Sequence, residues 1–162
     1  MDLSTLAESH LQFRVERLLA EYVQCIDDDR LEAWPDYFAA ECVYKIAALE
    51  NTSRGLPLAA IFCDSKGMLV DRVVSLRKAN IFERHQYRHI VSSTLLTDIS
   101  RASVSARSHY VVYRTRGNGV TELFSAGVYE DKIVSVDSEL KFAEKLVIYD
   151  TDRVDTLLVT PL

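Results

Sequence analysis

Leu11, Val15, Leu18, Leu19, Tyr22, Val23 and Ile26 recur three or four positions apart, which places one apolar stripe along a helix. That helix is expected to start near Ser4 or Ser9, either of which can cap it. It should end around Asp27–Asp29, because three acids at a helix C-terminus oppose its macrodipole. A short helical turn over Leu31–Phe38 follows, with Pro35 tolerated in its first turn. Val43–Ala48 reads as a strand, Glu50–Gly55 as a polar turn and Leu58–Phe62 as the partner strand. Asp64 or Ser65 then caps a helix to about Lys78, with a stripe of Leu69, Val73 and Leu76 widened by Val70 and Val74. The remainder reads as long strands: Ile81–Thr97, Ala102–Arg116, Val120–Ile133 and Leu140–Tyr149. Gly117-Asn118-Gly119 is a strong hairpin turn, since these residues accept positive φ cheaply, and Val136–Glu139 is a weaker one.

Helices followed by a long antiparallel meander indicate an α+β fold. Strands of this length twist, so a strongly curved sheet wrapping the helices is expected, of a shape that often encloses a cone. His109, Val111 and Tyr113 line one face of their strand and Tyr110, Val112 and Arg114 the other, a pattern that predicts burial on both sides. Leu140, Phe142, Leu146 and Ile148 form a further apolar face, broken by Glu144. The two helices cannot cover so much apolar sheet, and the remainder is expected to pack on another chain, through self-association or against a partner.

One strand breaks the half-buried pattern. Glu83, His85, Tyr87 and His89 fall on one face, and Arg84, Gln86 and Arg88 on the other. A strand polar on both faces lines a polar pocket, meets another subunit, or is an exposed edge. Arginine and tyrosine are favoured interface anchors, so Arg84, His85, Tyr87, Arg88 and His89 are read as contacts to another chain.

The length of 162 residues suits one domain with a sizeable core, and 48% hydrophobic content argues against disorder. A formal charge of −5 and a pI near 5.4 argue against nucleic acid as the main partner. No apolar run approaches the roughly 20 residues of a membrane span, and no signal peptide is visible, so a cytoplasmic protein is the expectation. Cys25, Cys42 and Cys63 are odd in number, widely spaced and in apolar contexts, which fits free, buried thiols.

The chemistry-bearing patterns are few. His85 and His89 have zinc-like spacing on a helix, but a strand holds them about 13 Å apart, and no third ligand stands nearby. Nucleophile elbows, Walker and Rossmann patterns, and the Cys-x-His and Cys-x-x-His pairs of a Rieske cluster are absent from the sequence. No metal or cofactor is therefore expected in this chain. A general acid–base pocket inside the cone is the alternative, drawing on Tyr44, Asp71, His85, His89 and His109. The plainer reading keeps the histidines hydrogen-bonded at a surface or interface, and Asp71 on an exposed helix.

Four stretches carry a family resemblance. They are Trp34-Pro35-Asp36-Tyr37-Phe38 with Cys42-Val43-Tyr44, then Cys63-Asp64-Ser65-Lys66-Gly67-Met68 leading to Asp71-Arg72 and Leu76-Arg77, then Tyr87-Arg88-His89 with Ser92, and Gly127-Val128-Tyr129-Glu130-Asp131-Lys132. Together and in this order they resemble the small (β) subunits of aromatic-ring-hydroxylating, Rieske-type oxygenases. The block from Asp64 to His89 looks most like those of salicylate hydroxylases and terephthalate or anthranilate dioxygenases. One departure is Ser93, where many members have asparagine. The resemblance implies a cystatin-like cone, shared with nuclear transport factor and ketosteroid isomerase. It implies a mainly structural subunit in a complex of three large and three small chains. The large subunit would carry the Rieske iron–sulfur cluster and the mononuclear iron, served by a ferredoxin or reductase. The competing function is a stand-alone isomerase or dehydratase on the same fold.

Overall fold

The computed structural model describes residues 2–79, 84–151, 158 and 160–162. Helix α1 (Glu8–Asp27) buries the whole stripe read from the spacing, together with Cys25. Neither serine caps it. Ala7 stands at the N-cap without a side-chain bond, and Ser4 belongs to a separate 3-10 turn, Leu3–Thr5, capped by Asp2. The acidic end of α1 is tolerated because cations meet it from elsewhere. Arg77 forks onto Asp29 at 2.8 and 2.9 Å and reaches Glu32 at 2.7 Å. Asp29 takes the left-handed φ of 55° that turns the chain out of the helix.

A 3-10 stretch, Leu31–Tyr37, leads directly into β1 (Phe38–Ala48), which starts five residues before the expected Val43. The expected polar turn is a short helix, α2 (Leu49–Ser53), and the expected partner strand shrinks to β2 (Ile61–Cys63). Ser65, rather than Asp64, caps α3 (Lys66–Lys78), accepting from the Met68 N–H. Leu69, Val73 and Leu76 are buried, whereas Val70 and Val74 are exposed, so the apolar stripe is narrow and not widened. Four long strands follow: β3 (His85–Ile99), β4 (Ser103–Arg116), β5 (Thr121–Val136) and β6 (Glu139–Tyr149). Ile81 and Phe82, which the pattern put on the first of them, and Glu83 lie outside the described residues.

These strands form one six-stranded sheet in the order β2-β1-β6-β5-β4-β3. All pairings are antiparallel except β1 with β6. The inner face packs against the helices. Its centre is a cluster of edge-to-face rings, with Trp34 5.1 Å from Tyr44 and Tyr22 5.3 Å from Phe142, extended by Tyr110 stacked on Tyr129 at 4.5 Å. Each such pair adds about 1 kcal/mol beyond area burial.

A bulge near Ala143 shifts the β5–β6 register, so that Ile133 faces Phe142 but Lys132 faces Glu144. The slip changes which side chains point inward. Leu140 and Phe142 are buried, and beyond the slip Lys145 and Val147 take the inner positions, with Leu146 only half-buried. The single apolar face expected over Leu140–Ile148 is thus two half-faces. The strand β4 also departs from expectation. Val104, Ala106, Tyr110 and Val112 are buried, but His109 and Tyr113 are exposed on the outer side.

Gly127 sits where β5 meets β6 most closely. A Cβ placed there would stand 2.0 Å from the Ile148 carbonyl oxygen and 2.9 Å from Tyr149 Cα, both backbone atoms. Backbone cannot yield as a side-chain tip does. Gly127→Ala is expected to cost about 3 kcal/mol, read as a lower urea midpoint at unchanged slope. A midpoint equal to that of the parent would show that the two strands separate freely there.

Candidate functional site

Strand β3 is an edge strand, and an open edge exposes unpaired N–H and C=O groups. Here α1 lies along that edge and closes it at two points. Gln12 donates to the Thr94 carbonyl at 2.8 Å, and the Asp27 carboxylate accepts the His89 main-chain N–H at 2.9 Å. Asp27 also meets His89 Nδ1 at 2.6 Å. A carboxylate can only accept, so His89 Nδ1 carries a proton and donates it to Asp27. The His89 side chain is wholly buried, and its Nε2 has no hydrogen-bond partner among the described residues.

The two faces of β3 therefore differ. His85, Tyr87 and His89 turn inward, with Tyr87 4% exposed and stacked on Phe124 at 5.1 Å. Arg84, Gln86 and Arg88 are exposed, continued along the outer face by Ile90 at 55%. Cross-strand neighbours extend that outer face. Arg88 stands opposite Tyr113, which pairs with Leu123, and Ile90 stands opposite Val111, which pairs with Ala126. Leu123 and Leu95 are also strongly exposed. The result is an apolar sheet surface with arginine at its margin.

Polar space exists at the inner end of the same strand. A cleft of about 700 Å³ opens between the end of α1 and the start of β3, lined by Asp27, Asp29, Arg77, Arg84, His85 and Thr160 among others. It does not gather the acid–base set. Tyr44 is fully buried in the aromatic cluster, Asp71 is exposed on α3, and His109 is exposed on the outer face of β4. Only His85 reaches the cleft. The set does not converge on one space: Tyr44 lies in the core, Asp71 on α3, His85 in the cleft, His89 against Asp27 and His109 on the outer sheet face.

Three buried groups escaped the sequence reading. Asp131 and Lys145 face each other across β5 and β6, with Nζ 3.0 Å from Oδ1 and both side chains fully buried. The ammonium also lies 3.7 Å from the Tyr129 ring and 4.6 Å from those of Tyr22 and Phe142. Burial pushes the Asp131 carboxyl up and the Lys145 amine down, and the pair's mutual attraction opposes both. The third is Arg114, which lies over Phe124 and is held by Glu122. Cys25, Cys42 and Cys63 are buried and unpaired, and burial raises all three thiols, which makes them poor nucleophiles at neutral pH. Among the described residues, no three His, Cys, Asp or Glu side chains gather as a metal would require.

Comparison with known proteins places the chain in a family. The ring-hydroxylating β-subunit profile matches residues 10–156. The chain belongs to this family. It is 43% identical over 150 residues to the small subunit of anthranilate 1,2-dioxygenase from Burkholderia cepacia, covering 93% of each chain. It is 34% identical over 151 residues to a β subunit of the terephthalate 1,2-dioxygenase terminal oxygenase from a Comamonas species, covering 93% of this chain and 98% of that one. A solved β subunit assigned to an aromatic-ring-hydroxylating dioxygenase of Novosphingobium aromaticivorans superposes with a TM-score of 0.88 at 43% identity, covering 95% and 98%. The α+β cone and the small-subunit role expected from the sequence both hold. As a ring-hydroxylating β subunit, the chain has a large α subunit as its partner, and it serves an oxidoreductase complex.

Within that family Ser93 gains a physical meaning. It sits in the β3 bulge with a φ of 53°, a left-handed backbone that asparagine adopts more readily than serine. An asparagine, which the resemblance led one to expect here, would suit the shape of that backbone.

Proposed function

We propose that this β subunit supports a large catalytic subunit in hydroxylating an aromatic carboxylate, with 2-aminobenzoate, terephthalate and salicylate as the class. Three small and three large chains would assemble. The Rieske cluster and mononuclear iron would belong to the large subunit, which would take electrons from a ferredoxin or reductase. Such a complex would work in the cytoplasm.

The observation that carries the reading is the uncovered outer sheet face: Ile90, Tyr113 and Leu123 exposed side by side, with Arg88 at the margin. Apolar surface of this kind marks an interface. Arg84 and Arg88 are the contacts on this reading, since a guanidinium can fork onto a partner carboxylate. His85, Tyr87 and His89 lie beneath them and set the strand's shape. The same face could carry contacts between small subunits, which gives the trimer.

Arg88→Ala is expected to weaken assembly by about 2 kcal/mol, the loss of a desolvated anchor. Turnover should fall with the loss of complex and recover in part at high subunit concentration. Sedimentation velocity and activity per assembled iron site, measured together, check this. Intact assembly with collapsed turnover per site would remove the interface role and favour direct participation in electron transfer or catalysis.

A further inference from the structure

The outer side of the sheet is not uniform. Read across the strands, Arg88, Tyr113 and Leu123 form one row, and Ile90, Val111 and Ala126 the next. The row after that is Ser92, His109 and Val128, with His109 exposed at its centre. One step further the surface turns charged. Arg107 faces Glu130 at 3.7 Å, and Lys132 faces Glu144 at 3.3 Å. His109 thus stands at the seam between an apolar band and a charged one.

A contact centred on the apolar band cannot stop at its border. A stable interface covers roughly 800 Å² of each partner, a disc about 16 Å in radius. His109 lies two residues along β4 from Val111 and four from Tyr113, roughly 7 and 14 Å at the rise of a strand. A contact of ordinary size over Ile90 and Tyr113 therefore covers His109. Its charged neighbours on this face do not favour a second cation. On β4 the nearest is Arg107, and on β5 it is Glu130, which already faces Arg107. Between Arg88 and Asp98, β3 puts no charged side chain on this face. The other three histidines lie elsewhere: His10 is exposed on α1, His85 reaches the cleft, and His89 is buried against Asp27.

We propose that His109 makes docking of the large subunit on this face depend on pH: the neutral imidazole permits the contact and the imidazolium opposes it. This rests on the outer sheet face being the contact with the large subunit. Covering an imidazole removes the water that its charged form needs, so the complex holds the neutral form. Histidine ordinarily changes charge near 6.5. A base that must stay neutral in the complex binds its proton less tightly there than in the free chain. Assembly is then at full strength above the ordinary value and is lost progressively as pH falls below it. Each small chain released at acid pH takes up a proton at His109.

The test uses the complex purified with its large subunit, followed by sedimentation velocity over a dilution series. The dissociation constant should be at least about fivefold higher at pH 5.5 than at pH 8, the effect of lowering one histidine by a single unit. His109→Gln, which stays polar but cannot take a charge, should abolish this difference. His109→Lys, charged at both pH values, should assemble more weakly than the parent at pH 8. Equal assembly of the parent at the two pH values overturns the proposal. So does a difference that survives His109→Gln. Assembly that tightens on acidification also overturns it, since a partner carboxylate would then sit against the imidazole. Ile90→Asp separates this outcome from the reading beneath it, because it charges the same face permanently. That variant should assemble poorly at both pH values. Normal assembly by Ile90→Asp would remove the face itself as the contact. Poor assembly by it, with no pH difference in the parent, would remove the role of His109 alone.

Discussion

Lys145→Met is expected to lower folding stability by about 3–5 kcal/mol, the largest effect of any single substitution considered for this chain. Methionine keeps the volume and leaves the rings of Tyr22, Tyr129 and Phe142 in contact. The damage comes from Asp131, which would remain fully buried without the Lys145 ammonium that pairs with it. Burial alone would then act on its carboxyl and raise it further above the ordinary 3.8. A raised carboxyl favours the folded state while protonated. The variant's deficit should be small below the ordinary value and grow as pH rises through the raised one. Replacing both partners, Asp131→Leu with Lys145→Met, should recover most of the loss, since a packed apolar pair often equals a buried ion pair. Guanidinium denaturation of the two singles and the double at pH 5 and pH 8 checks all three statements. A single-variant loss under about 1 kcal/mol would show that water reaches the pair, and the burial argument would fail.

Asp27→Ala should produce the second largest loss, about 3 kcal/mol, because it strands two buried donors at once. These are the His89 main-chain N–H and Nδ1–H, bound at 2.9 and 2.6 Å. A smaller effect runs the other way. Removing a negative charge from the last turn of α1 relieves its clash with the macrodipole by about 0.5 kcal/mol. The net sign is decided by the donors. Asp27→Asn should cost about 1 kcal/mol, since the amide oxygen can still accept one of them. Urea midpoints of the two variants and the nitrogen chemical shifts of His89 read this out. A neutral or stabilising Asp27→Ala would mean that the helix end, and not the β3 edge, governs this position.

Much of the fold was legible because its signals are local. The α1 stripe, the Ser65 cap and the Gly117–Gly119 hairpin depend on residues a few positions apart, and all stand where spacing put them. What failed depends on register. Lys145 and Asp131 were hidden by one extra residue near Ala143, which reverses inward and outward positions along the second half of β6. Alternation alone cannot see a bulge. Counting back from the Val136–Glu139 turn without the bulge sets Lys145 against Glu130 and Asp131 against Glu144, so the true pair leaves no local signal. The two faces of β3 were correctly separated, but which of them pointed inward depends on α1 lying along the edge, a tertiary fact. Tyr44 and Arg72 were noticed singly. Tyr44 meets Leu162 across 118 positions and Arg72 meets Leu158 across 86, separations beyond any periodicity.

The parallel pairing of β1 with β6 has a consequence for how the molecule is made. Phe38 and Val43–Ala48 find one of their two strand neighbours only in residues from Phe142 to Tyr149, about a hundred positions later. During synthesis the first helix and the ring of Trp34 emerge long before the strand that seals them. Non-local closure of this kind is slow, and the nascent chain meanwhile shows unpaired strand and aromatic surface to its surroundings. Late arrival of β6 also sets an order of events. The outer face proposed as the interface draws Arg88, Ile90, Tyr113 and Leu123 from β3, β4 and β5, so on that reading a large subunit translated alongside would have its surface to meet before β6 is made.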